Sequence, residues 1–215
     1  GMHISRLGED LVLFSSREFS FIQIGEGYAT GSSLMPQKRN PDVAELARAK
    51  AGRLHGNLTG LLTLLKGLPT GYNRDLQEEK TLLFDTMDTL ALTLPALAGA
   101  VRSTVFREDE IRCARNAELL ATDLADTLVL AGVPFRQGHK IVGRLVREAE
   151  RRGLPLSDLP DDVFREASPD FPERIEEVFN WEKSVEARDL PGGTSRRAVL
   201  VQIDQAREQL MESGD

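Results

Sequence analysis

Two short polar stretches carry the side chains best suited to chemistry. The first is Gly31-Ser32-Ser33-Leu34-Met35-Pro36-Gln37-Lys38-Arg39-Asn40-Pro41. It opens on a glycine and two hydroxyls, shows no apolar periodicity before Pro41, and contains two prolines that deny the backbone regular hydrogen bonding. It therefore reads as a loop. Gly31 is expected to let the chain bend so that successive N–H groups turn inward as an anion-binding nest. Lys38 and Asn40 add a cation and an amide on the way into a helix whose first turn is Pro41-Asp42, with Asn40 as its expected N-cap. The second stretch, from Lys66 to Lys80, supplies a phenol, an amide and a cation at Tyr72, Gln77 and Lys80. Gln77 and Lys80 stand three residues apart at the start of a helix, hence on one face. Such a set suits a polar, carboxylate-bearing molecule.

These loops need long elements to hold them. Val43, Leu46, Ala47, Leu54, Leu58, Leu61, Leu62 and Leu65 recur at threes and fours and predict an amphipathic helix from Pro41 to Lys66, stopped by Gly67 and Pro69, with Leu64 off the stripe. A second periodic run from about Asp75 to Val105 predicts a helix about 45 Å long, with Pro95 as a kink. Both carry large apolar residues beyond one stripe, so they are expected to pack against helices of other subunits. Upstream, Ile4, Leu7, Leu11 and Phe14 mark a helix that starts without a capping signal, which suggests truncation, and Gly1-Met2 reads as a leftover of processing. Residues 19 to 24 alternate well enough for a short strand.

After Phe106 the pattern changes to shorter helices broken by glycine and proline. Residues 117–130, 135–152 and 181–188 read as helical, with a final helix through about Met211 capped by Thr194 or Ser195. The division expected is 1–106 for a helical-bundle segment and 107–215 for a small helical domain.

Composition narrows the function classes. The chain has 215 residues and a formal net charge of -7, with 27 Lys and Arg set in no basic block, which argues against a nucleic-acid groove. No apolar run reads as long enough to span a bilayer. The single Cys113 cannot form an internal disulfide, and a reducing cytoplasm is the expected location. His3, His55 and His139 stand alone, and no metal cluster, P-loop or dinucleotide fingerprint occurs, so no cofactor is implied.

The first stretch matches the signature G-S-S-x-M-P-x-K-x-N-P of the fumarase/aspartase superfamily at every fixed position. The second, Lys66-Gly67-Leu68-Pro69 through Tyr72-Asn73, Asp75 and Gln77-Glu78 to Lys80, resembles the corresponding segment of argininosuccinate lyases. So do Ala121 to Asp126, Gly132 to Arg136 with His139 to Gly143, and Ser184-Val185 through Gly192-Gly193-Thr194. The resemblance implies an all-α fold, a homotetramer, and reversible cleavage of argininosuccinate to arginine and fumarate. It implies Ser32 as the base that removes the proton beside a carboxylate, Lys38 and Asn40 as the groups holding the carboxylate and the charged intermediate, and Tyr72, Gln77 and Lys80 as substrate contacts. Family members are roughly twice as long, and their upstream histidine motif has no counterpart here, so the chain alone is expected to be inactive and its loop from about Gly25 to Arg39 mobile. Two alternatives stand beside this: a non-catalytic structural protein derived from the same fold, and another fumarate-releasing lyase.

Overall fold

The computed structural model describes residues 1–31 and 39–212. Its contacts divide the chain into two compact units, Gly1–Ala114 and Arg115–Asp215.

The first unit is built on three helices, α1 (Met2–Ser15), α2 (Asp42–Leu65) and α3 (Glu79–Arg102). Met2 is thus the first residue of a helix. The strand expected over 19–24 shrinks to β1 (Ile22–Gln23). After a 3-10 turn at Glu26–Tyr28 come β2 (Thr30–Gly31) and β3 (Arg39–Asn40), which pair antiparallel with Thr30 opposite Asn40 and Gly31 opposite Arg39. β1 pairs with β4 (Val105–Phe106) instead of extending alone, and α4 (Glu108–Cys113) closes the unit. Leu11, Ile22, Ile24, Ala44, Ala47, Leu97 and Ala100 form its core. Tyr28 packs against α3 where Gly99 stands: a β-carbon there would run into the Tyr28 phenol, so only glycine lets the turn before β2 dock this closely.

Several expectations change here. Gly31 lies in a strand and makes no bend, because its backbone is committed to Arg39. Asn40 is likewise paired in β3, and α2 begins at Asp42 with Pro41 at the cap position and no side-chain cap. The 25–31 part of the loop is a turn and a strand, while residues 32–38, including Ser32 and Lys38, lie outside the described residues. The second long helix starts later and ends earlier than its periodicity suggests. Residues 74–78 form a 3-10 turn and α3 covers 24 residues, about 36 Å. Val105 leaves it for β4.

α2 and α3 meet through Asn57 and through Gly60 against Leu82, and Thr89 and Thr93 of α3 are buried as well. Asn57 Nδ2 donates to Asp85 Oδ2 at 2.7 Å and to Thr86 Oγ1 at 3.1 Å, and Arg53 Nε reaches the same carboxylate at 2.7 Å. The apolar faces expected to meet other subunits are left largely outward within the chain: Leu46, Leu58, Leu62 and Leu65 on α2 and Leu83, Met87, Leu94 and Val101 on α3 are exposed, as are Phe84 and Leu92, while Leu54, Leu61, Leu82 and Leu90 are half-buried and Ala47 and Leu97 buried. Leu64, off the α2 stripe, is half-buried, as are Leu54 and Leu61 on it. The stretch Arg74–Arg102 is long and apolar enough, by length and composition, to cross a bilayer, contrary to the reading from sequence. Core helices of soluble proteins can have that length and composition, and this one carries Asp85 bonded to its neighbour helix.

The second unit is a small helical domain. After a 3-10 turn (Ala117–Leu120) come α5 (Ala121–Leu130), α6 (Phe135–Arg152), α7 (Asp161–Ala167), α8 (Trp181–Glu186) and α9 (Arg196–Glu212). α6 ends at Gly153 in the left-handed conformation, φ 67°, which glycine adopts without strain. Leu124, Leu128, Ile141, Leu145, Leu156, Phe164 and Phe171 make one core. Ser195, the other residue of the expected pair being Thr194, caps α9: its Oγ accepts from Ala198 N at 3.0 Å.

Candidate active site

The roots of the signature loop are held by a two-residue ladder. Thr30 Oγ1 donates to Asp42 Oδ2 at the first turn of α2, and Arg39 Nη2 donates to Glu26 Oε1 at 2.7 Å. Gly31 and Arg39, the residues on either side of 32–38, therefore stand side by side near the N-terminal end of α2. The roots adjoin a cleft of about 770 Å³ whose polar lining includes Ser16, Ser20, Gln23, Arg39, Glu45 and Arg107. Arg17 lines it as well; of its three arginines, Arg39 is paired with Glu26 and Arg107 with Glu110. Arg107 sits there because β4 pairs with β1 and its N–H donates to Phe21 O at 2.8 Å. Nothing in the local sequence around Arg107 could have signalled that placement.

Tyr72, Gln77 and Lys80 stand at the other end of α2. Tyr72 is 80% exposed, and Gln77 and Lys80 are exposed where the 3-10 turn runs into α3. Asn73 shapes this corner, its Nδ2 donating to Pro69 O at 3.0 Å and Gly71 O at 3.2 Å. α2 contains 24 residues, so Asn40 and the Tyr72–Lys80 corner are separated by about 36 Å of helix. Among the described candidate residues, Asn40 stands at one end of α2 and Tyr72, Gln77 and Lys80 stand beyond the other.

Electrostatics in the first unit centre on Asp85. Hydrogen bonds from Arg53 and then Asn57 hold its carboxyl down at about 2, against a smaller opposing effect of burial. This is a structural cross-tie between α2 and α3, five residues beyond Lys80 on α3. In the second unit a cleft of about 810 Å³ contains an ionic network in which Arg188 Nη1 donates to Asp123 Oδ1 at 2.9 Å and Ser184 Oγ donates to Asp123 Oδ2 at 3.1 Å. The Asp123 hydrogen bond raises the Arg188 pKa above its usual value. No candidate residue lines this cleft. His55 and His139 are exposed helix residues.

The fold is that of a known group. Over 98% of its length the chain superposes on an EDDS lyase variant with bound fumarate, TM-score 0.83 at 26% identity, covering 44% of that chain. It also superposes on 3-carboxy-cis,cis-muconate lactonizing enzyme from Pseudomonas putida, TM-score 0.62 at 19% identity, over 82% of this chain and 40% of that one, a likeness of fold. Residues 1–56 match the Lyase family model. Long α2 and α3, followed by a small helical unit, thus place the chain in the fumarase/aspartase superfamily.

Within that class the match sharpens. Residues 118–186 match the model for the argininosuccinate lyase C-terminal region. The argininosuccinate lyase of Roseiflexus sp. (strain RS-1) is 56% identical over 207 residues, 96% of this chain and 46% of that protein. That of Herpetosiphon aurantiacus is 52% identical over 212 residues, 99% and 46%. The chain belongs to the argininosuccinate lyase family and corresponds to its C-terminal portion, spanning about half the length of the curated relatives it matches.

Proposed function

We propose that this chain is the C-terminal portion of an enzyme that cleaves argininosuccinate to arginine and fumarate, a carbon–nitrogen lyase of arginine biosynthesis in the cytoplasm. The observation that carries this reading is identity of about half the residues to argininosuccinate lyases along nearly the whole chain, against 26% to the EDDS lyase. That difference favours argininosuccinate over the substrate of another lyase.

In this reading Ser32 removes the proton beside the succinyl carboxylate. A serine does so only as an alkoxide stabilised by N–H donors and a cation. Lys38, six residues on, supplies that cation, and with Asn40 it meets the negative charge that accumulates on the carboxylate as the carbanion forms. The C–N bond then breaks, the electron pair leaving on the guanidinium nitrogen, which takes up a proton. Tyr72, Gln77 and Lys80 bind the substrate's polar groups. Because the two groups lie at opposite ends of α2, a site that uses both draws them from different copies. The exposed apolar faces of α2 and α3 supply the surface for such assembly, and a homotetramer accounts for it.

The test follows fumarate absorbance with the full-length enzyme, its Ser32→Ala variant and this chain alone. The full-length enzyme turns over. Ser32→Ala lowers kcat by orders of magnitude with KM little changed, because the hydroxyl acts chiefly in the transition state. This chain alone is inactive. Unimpaired turnover by Ser32→Ala, or turnover by this chain alone, overturns the assignment.

A further inference from the structure

α6 breaks a rule of helix electrostatics. From Phe135 to Arg147 it holds four cations, Arg136, Lys140, Arg144 and Arg147, and no carboxylate, although the second unit as a whole has 14 Lys and Arg against 20 Asp and Glu. Cations in the N-terminal half oppose the helix dipole, and like charges four apart, as at 136/140 and 140/144, repel. At 100° per residue the four fall within an arc of about 80°, one stripe about 16 Å long. Their neighbours do not relieve them. All four are exposed, and they take no part in the ion pairs or side-chain hydrogen bonds of the described residues. The two carboxylates on the helix lie beyond them, Glu148 being committed to Arg151 and Arg152.

Beside the stripe runs a cleft of about 660 Å³, within the range of small-ligand sites. Lys140, Arg144 and Arg147 line one wall. Gly143 sits between them, and a β-carbon there would meet only the Arg147 guanidinium, at 3.8 Å, so the floor is open. The far wall is Ser168 to Asp170, with the Asp170 carboxylate accepting from Ser168 Oγ at 3.1 Å. At the N-terminal end Phe135, 61% exposed, stands 6.3 Å from the His139 ring, centroid to centroid. A local rule broken without compensation inside the fold marks a place where a ligand supplies the compensation.

We propose that this face of α6 binds a compact polyphosphate, a di- or triphosphate group, between Lys140, Arg144 and Arg147. Guanidinium forks match phosphate oxygens, and closely spaced cations reward linked phosphates over single ones. The group belongs either to an inorganic polyphosphate or to a nucleoside triphosphate, whose base would stack on the aromatic pair at Phe135.

Calorimetric titration of this 215-residue chain with inorganic tripolyphosphate, at low and at raised salt, tests it. Saturable binding is expected, weakened by salt and weakened at least tenfold in Arg144→Gln/Arg147→Gln, with circular dichroism showing the variant folded. Arg196→Gln/Arg197→Gln, on α9, serves as the charge-matched control and binds as the unaltered chain does. A parallel titration with a nucleoside triphosphate separates the sources. Tighter binding that falls to the tripolyphosphate level in Phe135→Ala assigns a nucleotide, and equal binding assigns the phosphates alone. Absence of binding at low salt, or equal losses in the two double variants, overturns the proposal.

Discussion

Division of the site between copies can be tested by mixing defects. α2 places about 36 Å between the roots of the signature loop and the Tyr72–Lys80 corner. Ser32 follows Gly31 directly, so it stands within about 4 Å, one peptide unit, of a residue paired in the β2–β3 ladder. More than about 20 Å therefore separates Ser32 from Lys80 within one chain, too far for both to touch one small substrate. Full-length enzyme carrying Ser32→Ala should be inactive, and so should enzyme carrying Lys80→Met. If the two are unfolded together and refolded at equal concentrations, copies assort at random. A site taking its loop from one copy and its corner from another then finds both intact with probability of one half times one half, so about one quarter of full activity returns. Fumarate absorbance reads this directly. Recovery near zero in mixtures shown by mass to contain both chains refutes the argument that different copies supply the two groups.

Three further outcomes follow. Leu124, fully buried in the core of the second unit, should cost about 3 kcal/mol as Leu124→Ala, read from urea unfolding of that unit. The α2–α3 cross-tie makes stability depend on pH with a definite sign. The Asp85 carboxyl is depressed to about 2, so its contribution is complete above the ordinary carboxylate range near 4 and is lost as pH falls toward 2; Asp85→Asn should remove that part of the acid dependence in thermal melts. At neutral pH this chain should associate at micromolar concentration through its outward leucines, and Leu62→Glu/Met87→Glu should return it to monomer in sedimentation, whereas a monomer before substitution contradicts the assembly.

Much was legible without coordinates because it rests on local chemistry. Proline and glycine spacing marks the signature loop as a break between elements, and the end of α6 at Gly153 and the hydroxyl cap at Ser195 follow from the same short-range rules. The residues offered for chemistry are legible too, since their types and order are enough to name them. What tertiary structure alone decided is which partner each group meets. Gly31 and Asn40 were read as a bend and a cap, but β2–β3 pairing claims both backbones. Arg107 enters the loop-side cleft only because β4 returns to β1. The periodicity of α2 and α3 locates an apolar stripe yet cannot say what covers it. Within the chain, Asn57, Thr89, Thr93 and Leu97 are buried while Leu46, Leu58, Leu62, Leu65, Leu83 and Leu94 stay exposed, because a helical pattern records that a face is apolar and the packing decides which of its residues the chain itself covers.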